Sequence, residues 1–177
     1  MRSGKLGSMK IVVCVKHVPD PDSDRRIESG RIVRGEDDVL NELDEYAIEE
    51  AVTLVEDRGG EVIAVTMGPE DSEDAVLRAL QMGADRGLVV SDPALEGADA
   101  PATADVLAAT VRMLAAEGPV DLVLTGMASL DGMTSMFAPA LAATLDWPLL
   151  DLAQTVQVEA SVSSSLRSTC STMRNDW

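Results

Sequence analysis

Short runs of β-branched residues alternate with segments of helical periodicity along this chain, and that alternation restricts its fold more than any other feature. Lys10–Lys16 (KIVVCVK), Glu61–Met67 (EVIAVTM), Gly87–Val90 and Val120–Thr125 (VDLVLT) read as strands. The first two are apolar runs rather than alternating ones, as strands buried on both faces are. Between them, Glu42–Asp57 places Leu43, Ala47, Ala51 and Leu54 or Val55 at three- and four-residue steps, so one helical face is apolar. Asn41 or Asp44 suits its N-cap, and Arg58-Gly59-Gly60 its end. Further helices are predicted over Glu70–Met82, Thr103–Glu117 and Gly132–Leu145. His17–Asp38 reads as a polar loop with a short hairpin around Ile27–Val33, and Ala98–Ala102 as a loop.

Strand and helix in regular alternation, with no hairpin turn between the main strands, predict an α/β fold. Its sheet is expected to be mainly parallel and doubly wound (Rossmann-like), with helices on both faces. In such sheets ligands sit beyond the carboxyl ends of the strands, at a topological switch point. The loops that matter are then Cys14–Val18, Met67–Glu70 and Gly126–Thr134.

Charge removes several function classes. Fourteen Lys and Arg stand against 31 Asp and Glu, a formal charge of −17, which repels nucleic-acid phosphates and anionic lipid surfaces. No apolar run approaches the ~20 residues that span a bilayer, so no direct membrane insertion is expected. Aromatic residues are 2% of the chain, too few for base-stacking platforms. Cys14 and Cys170 form no CxxC pair, and with the single His17 they make no zinc constellation. A reducing, cytoplasmic setting follows from that cysteine usage.

The ends read differently from the middle. Residues 1–8 (MRSGKLGS) have no apolar core and are expected to be a leader or a cloning scar. The domain is expected over 9–159. Residues 160–177 are Ser/Thr-rich, without periodicity, and are expected to be a disordered, atypical tail.

No catalytic constellation is visible. His17 has no partner nucleophile and reads as a loop or capping residue, while Cys14, inside an apolar run, reads as a small core residue. The carboxylates Glu45, Glu49, Glu50, Glu56 and Asp57 read as a solvated helix surface. The most informative loop is Gly126–Ser135 (GMASLDGMTS), where glycines and hydroxyls precede a helix start. Backbone N–H groups there, with Thr134 and Ser135, suit a phosphate, and Asp131 suits a ribose hydroxyl or a cap. An ordinary strand-to-helix loop capped by Asp131 explains the same spacing. Neither GxGxxG after the first strand nor GxxxxGK[ST] is present.

Four stretches together resemble the β subunit of electron-transfer flavoprotein. They are MKIVVCVKHVPD (Met9–Asp20), LNELDEYAIEEAV (Leu40–Val52), VIAVTMGPEDSEDAVLRALQMGADRGLVV (Val62–Val90) and DLVLTGMASLDGMTSMFAPALAATLDWP (Asp121–Pro148). The ALxMGADR segment beside a VxxGP turn is the most specific of them, and the resemblance extends from Met9 to about Glu159.

The resemblance implies a nucleotide-binding subunit, non-enzymatic on its own. Its partner would be the larger α subunit, which carries most contacts to a shared FAD. The β-subunit site would hold AMP, or a second FAD in a bifurcating member. The pair would carry electrons from flavin dehydrogenases, such as the acyl-CoA dehydrogenases of fatty acid oxidation, to electron-transfer flavoprotein quinone oxidoreductase. By position, the family's nucleotide contacts fall on Cys14, on Asn41, Glu42, Leu43 and Asp44, and on Met67. Phosphate-side contacts fall on Gly126 through Ser135, including Met127, Asp131, Gly132, Met133 and Thr134.

Two departures from the family pattern touch that site. The familiar Gln/Thr pair is represented by Thr134, Ser135 and Met136, and Met67 is larger than the usual residue. The family also continues past Val158 into further strands and a clasping arm, so the Ser-rich stretch here leads us to expect a truncated or frame-shifted product. A stand-alone adenine-nucleotide regulator of the universal-stress-protein type is the alternative, but its glycine-spaced phosphate signature is absent. An ATP-pyrophosphatase-like enzyme would need SGGxDS after the first strand, where this chain reads VKHVPDPD.

Overall fold

The structure is a computed structural model that describes residues 8–158, other than 25, 36 and 154, together with 168–169. The readings of residues 1–7 and of most of 160–177 fall outside the described residues.

Four strands form one parallel sheet: β1 (Met9–Cys14), β6 (Gly60–Met67), β7 (Arg86–Val90) and β8 (Leu122–Thr125). Their order is β7-β6-β1-β8. Ile11 stands opposite Val62 on one side and Leu122 on the other. The two inner strands are the ones whose sequences are continuously apolar: β1 is buried along its whole length, and Val62–Val65 in β6 are buried as well. The outer strands β7 and β8 are only partly buried, because each lacks a sheet neighbour on one side among the described residues.

Helices cover both faces, as the alternation predicts. α1 (Glu42–Arg58) and α2 (Glu73–Gln81) pack on the face that carries Ile11, Val13, Val62 and Ala64. α3 (Ala100–Ala116) and α4 (Phe137–Leu145) cover the other, with Val12, Cys14, Ile63 and Val65. On α1 the buried residues Ala47, Ile48, Ala51 and Leu54 recur at helical spacing, which is why this segment lies flat on the sheet. Among the described residues no helix is long and apolar enough to cross a membrane.

Several boundaries differ from the sequence reading, each for a local reason. The segment expected as one helix over Glu70–Met82 opens with a separate 3-10 turn, Glu70–Ser72, before α2. α3 begins at Ala100 rather than Thr103, because the Asp99 side chain accepts the Ala102 N–H at 2.9 Å and Pro101 fits the first turn. α4 begins at Phe137 rather than Gly132, because Met133 and Ser135 hold left-handed backbone angles that no α-helix tolerates.

The segment from His17 to Asp38, expected as loop, contains strand structure. β2 (His17–Pro19) pairs antiparallel with β5 (Asp38–Leu40). Within the excursion lies the expected hairpin, β3 (Ile27–Glu28) against β4 (Arg31–Ile32), turned by Ser29 and Gly30 at positive φ. The ribbon closes where the Asn41 N–H donates to the Lys16 carbonyl at 2.9 Å. β9 (Gln157–Val158), whose Val158 is buried in the same core cluster as Ile11 and Ile48, pairs antiparallel with β10 (Ser168–Thr169), a two-residue ladder reaching into the stretch expected to lack structure.

Candidate nucleotide site at the strand crossover

The chain adds β6 and β7 successively on one side of β1, then returns across the sheet through α3 to place β8 on the other side. That reversal between β1 and β8 is the switch point, and sheets of this kind take ligands beyond the carboxyl ends of the strands there. Lys16 and Gly126 lie just past those ends.

The N-terminus of α1 fits between them. Asp44 is buried in its first turn, and its Oδ2 accepts the Lys16 backbone N–H at 2.8 Å. The same carboxyl also interacts with the Gly126 N–H and the Asn41 side chain. Burial pushes Asp44 up to about 7, against the pull of those hydrogen bonds and of the Lys16 charge. Gly126 approaches so closely that a Cβ there would stand 2.2 Å from Asp44 Oδ1 and 2.8 Å from the Leu43 carbonyl. Only glycine fits.

Asn41 is fully buried and fastens the loop after β8. Its Nδ2 donates to the Ala128 carbonyl at 2.9 Å, and its Oδ1 accepts the Leu130 N–H at 3.0 Å. Its side chain makes no capping hydrogen bond to α1, so its work is to hold this loop rather than to begin the helix.

One residue further on, Asp131 turns inward onto two cations. Lys16 Nζ lies 2.9 and 2.8 Å from Asp131 Oδ1 and Oδ2, and 3.4 Å from Ser129 Oγ. Arg34, from the ribbon excursion, places its Nη2 on Asp131 Oδ2. Burial pushes the Asp131 carboxyl up, but the hydrogen bonds from Arg34 and Lys16 and the Lys16 charge overcome it and hold the group well below the carboxylate range.

The expected site residues divide into two sets. Cys14, Asn41, Asp44, Gly126 and Asp131 lie around the ends of β1 and β8 and the start of α1, with Leu43 half-buried behind Gly126. Met67 ends β6, the strand beside β1, and packs with the same apolar cluster as Cys14. Glu42, Met127, Gly132, Met133, Thr134 and Ser135 are exposed, the last four on an arm between the anchored part of the loop and α4. Burial, and then the nearby Asp44 charge, push the Cys14 thiol up to about 12, so it is an inert core group as its apolar surroundings imply. His17 lies in β2 with Nδ1 4.0 Å from Asp38, and its buried Nε2 has no partner among the described residues. Of the carboxylates read as a solvated surface, Glu50 departs: its Oε1 accepts the Val156 N–H at 2.9 Å. Among the described residues no group of three His, Cys, Asp or Glu side chains is gathered to hold a metal.

Lys16 and Arg34 are the site residues that sequence reasoning did not single out. Lys16 lies within a loop marked for inspection, and its place directly after a buried strand is a signal. Arg34 carries none, since only the folding of the ribbon brings it to Asp131.

The electron transfer flavoprotein domain model matches residues 30–172, about four-fifths of the chain. The chain belongs to the electron transfer flavoprotein family. It is of the β-subunit type. It is 36% identical over 154 residues to the electron transfer flavoprotein subunit beta of Clostridium acetobutylicum, covering 85% of this chain and 58% of that one. Protein FixA of Azotobacter vinelandii is 39% identical over 144 residues, 80% of this chain and 51% of the relative. Subunit CarD of the caffeyl-CoA reductase-Etf complex of Acetobacterium woodii is 36% identical over 155 residues, 85% of this chain and 58% of the relative. The chain thus spans between half and three-fifths of the length of these relatives.

Proposed function

We propose that this chain is the nucleotide-binding β-type part of an electron carrier, and that the crevice between β1 and β8 takes an adenine nucleotide. The observation that carries the reading is the anchoring of the Gly126–Leu130 segment over the start of α1 by buried Asn41, at the switch point where such sheets take ligands. The donor set is suited to a phosphate: exposed hydroxyls on Thr134 and Ser135, and cationic side chains on Lys16 and Arg34.

In this reading the bound species is AMP, or a second FAD in a bifurcating carrier. The chain pairs with a larger α subunit that shares the redox-active FAD, which supplies the electron chemistry. The carrier takes electrons from flavin dehydrogenases, such as acyl-CoA dehydrogenases, and passes them to a quinone oxidoreductase. This chain's own residues bind and orient; none acts as a catalyst. The same reading puts the carrier in a reducing, cytoplasmic setting, which the buried free thiol of Cys14 supports.

The test is to denature the purified chain, alone and after co-expression with an α subunit, and identify released small molecules by mass spectrometry. Stoichiometric AMP or FAD is expected. Release of no adenine nucleotide from either preparation would overturn the reading.

A further inference from the structure

Lys16, Arg34 and Asp131 come from three separate stretches, the end of β1, the ribbon excursion and the loop after β8, and meet at the rim of the crevice. We infer that Lys16 and Arg34 form an oxyanion site for a phosphate ester, and that Asp131 is its resident anion, displaced when the phosphate binds. The inference rests on the reading that this crevice takes a nucleotide, and it names the group recognised at the rim and what holds its place.

Charge is the first argument. Two cations face the single carboxylate of Asp131, with the Asp44 carboxyl also within reach of the Lys16 charge, in a chain of formal charge −17. A single cation would satisfy Asp131 as a structural ion pair, whereas the second one adds like-charge repulsion with Lys16. A phosphate monoester carries about −1.5 to −2 at neutral pH, so it balances the pair where a carboxylate does not. The guanidinium fork adds the geometry in which phosphate oxygens are held two at a time.

Exposure is the second. The Asp131 side chain is 3% exposed, while those of Lys16 and Arg34 are 45% and 43% exposed. The anion faces inward and the cations outward, so an incoming phosphate meets the cations first. Position in the loop is the third. The Asn41 anchors at Ala128 and Leu130 lie upstream of Asp131, and the exposed 132–135 arm lies downstream. Asp131 can turn out toward that arm while the anchors stay made.

The test is calorimetric titration of the full chain, freed of bound nucleotide, with AMP, adenosine and inorganic pyrophosphate at fixed low salt. Circular dichroism checks the fold of each variant. Wild type is expected to prefer AMP over adenosine. Asp131→Asn is expected to bind AMP about tenfold more tightly, because a charge-assisted hydrogen bond no longer has to be broken. Arg34→Gln, at an exposed rim position, and Lys16→Gln are expected to remove the preference for AMP while leaving adenosine binding in place. The pyrophosphate arm separates this inference from the reading beneath it. If AMP and adenosine both fail to bind wild type, saturable pyrophosphate binding to Asp131→Asn that vanishes in Asp131→Asn/Arg34→Gln still supports the oxyanion site. AMP binding to Asp131→Asn no tighter than to wild type overturns the role of Asp131. A preference for AMP that survives in both cation variants overturns the site, as does Asp131→Asn that binds neither AMP nor pyrophosphate.

Discussion

Asn41 and Leu130 are 89 residues apart in the chain and are joined by a 3.0 Å hydrogen bond from the Leu130 N–H to the Asn41 side-chain oxygen. With the partner bond to the Ala128 carbonyl, this fully buried amide is the pin between α1 and the loop after β8. Asn41→Ala removes both of these hydrogen bonds at once, and a loss of about 2–3 kcal/mol is expected in urea unfolding. Faster hydrogen exchange at the Leu130 amide should accompany it. A Leu130 amide that stays as protected as in wild type would show that other contacts hold the loop.

Gly126 and Gly132 lie in the same loop and should respond unequally to alanine. At Gly126 the added methyl meets Asp44 and the Leu43 carbonyl, so Gly126→Ala is expected to cost about 1–3 kcal/mol as the start of α1 is forced away. At Gly132 the nearest atom is Ser129 Oγ at 3.4 Å, an ordinary contact, and the change should stay within about 0.5 kcal/mol. Thermal melts of the two variants side by side test the pair.

Asp44 gives stability a pH dependence of unusual sign. Its carboxyl sits at about 7 in the folded chain and near 3.8 when unfolded, so across that window the folded state holds a proton the unfolded state has released. The contribution therefore falls as pH rises from about 4 to 7, and the penalty, on the order of a few kcal/mol, is complete above pH 7. Asp131, held low by its cations, acts in the other direction: its contribution is present above the ordinary carboxylate pKa and is lost on acidification. Asp44→Asn should flatten the decline in urea midpoint between pH 5 and 7, whatever it does to the midpoint itself. An unchanged slope would rule out Asp44 as its source.

Cys14 should resist alkylation while the chain is folded. Its thiol is buried and pushed up to about 12, so almost no thiolate exists at neutral pH. Iodoacetamide treatment followed by peptide mapping is expected to leave Cys14 unmodified in buffer and to label it fully in urea.

How much of this was legible beforehand depended on the range of the interaction concerned. β1 and β6 were readable because burial on both faces demands continuous apolar residues, a local signature. The loop after β8 stands out as a candidate ligand loop from its place beyond a strand end, whereas Asn41 reads as a helix cap and enters the candidate site only through the family resemblance. The β2–β5 ribbon was not readable, since three-residue strands of mixed polarity become strands only by finding each other across the excursion. The start of α4 was misplaced because the left-handed conformations of Met133 and Ser135 belong to residue types that show no preference for them. The cation pair on Asp131 was invisible for the same reason at longer range, since Lys16 meets it across 115 residues and Arg34 across 97.

The sheet order also sets a schedule for synthesis. β1 emerges from the ribosome first, yet it is an inner strand whose second neighbour, β8, is encoded some 111 residues later. At about 5–20 residues per second, that edge of a strand destined for complete burial waits on the order of ten seconds for its partner. Through that interval the nascent chain offers an unpaired strand edge to its neighbours, the kind of surface on which partly folded chains aggregate.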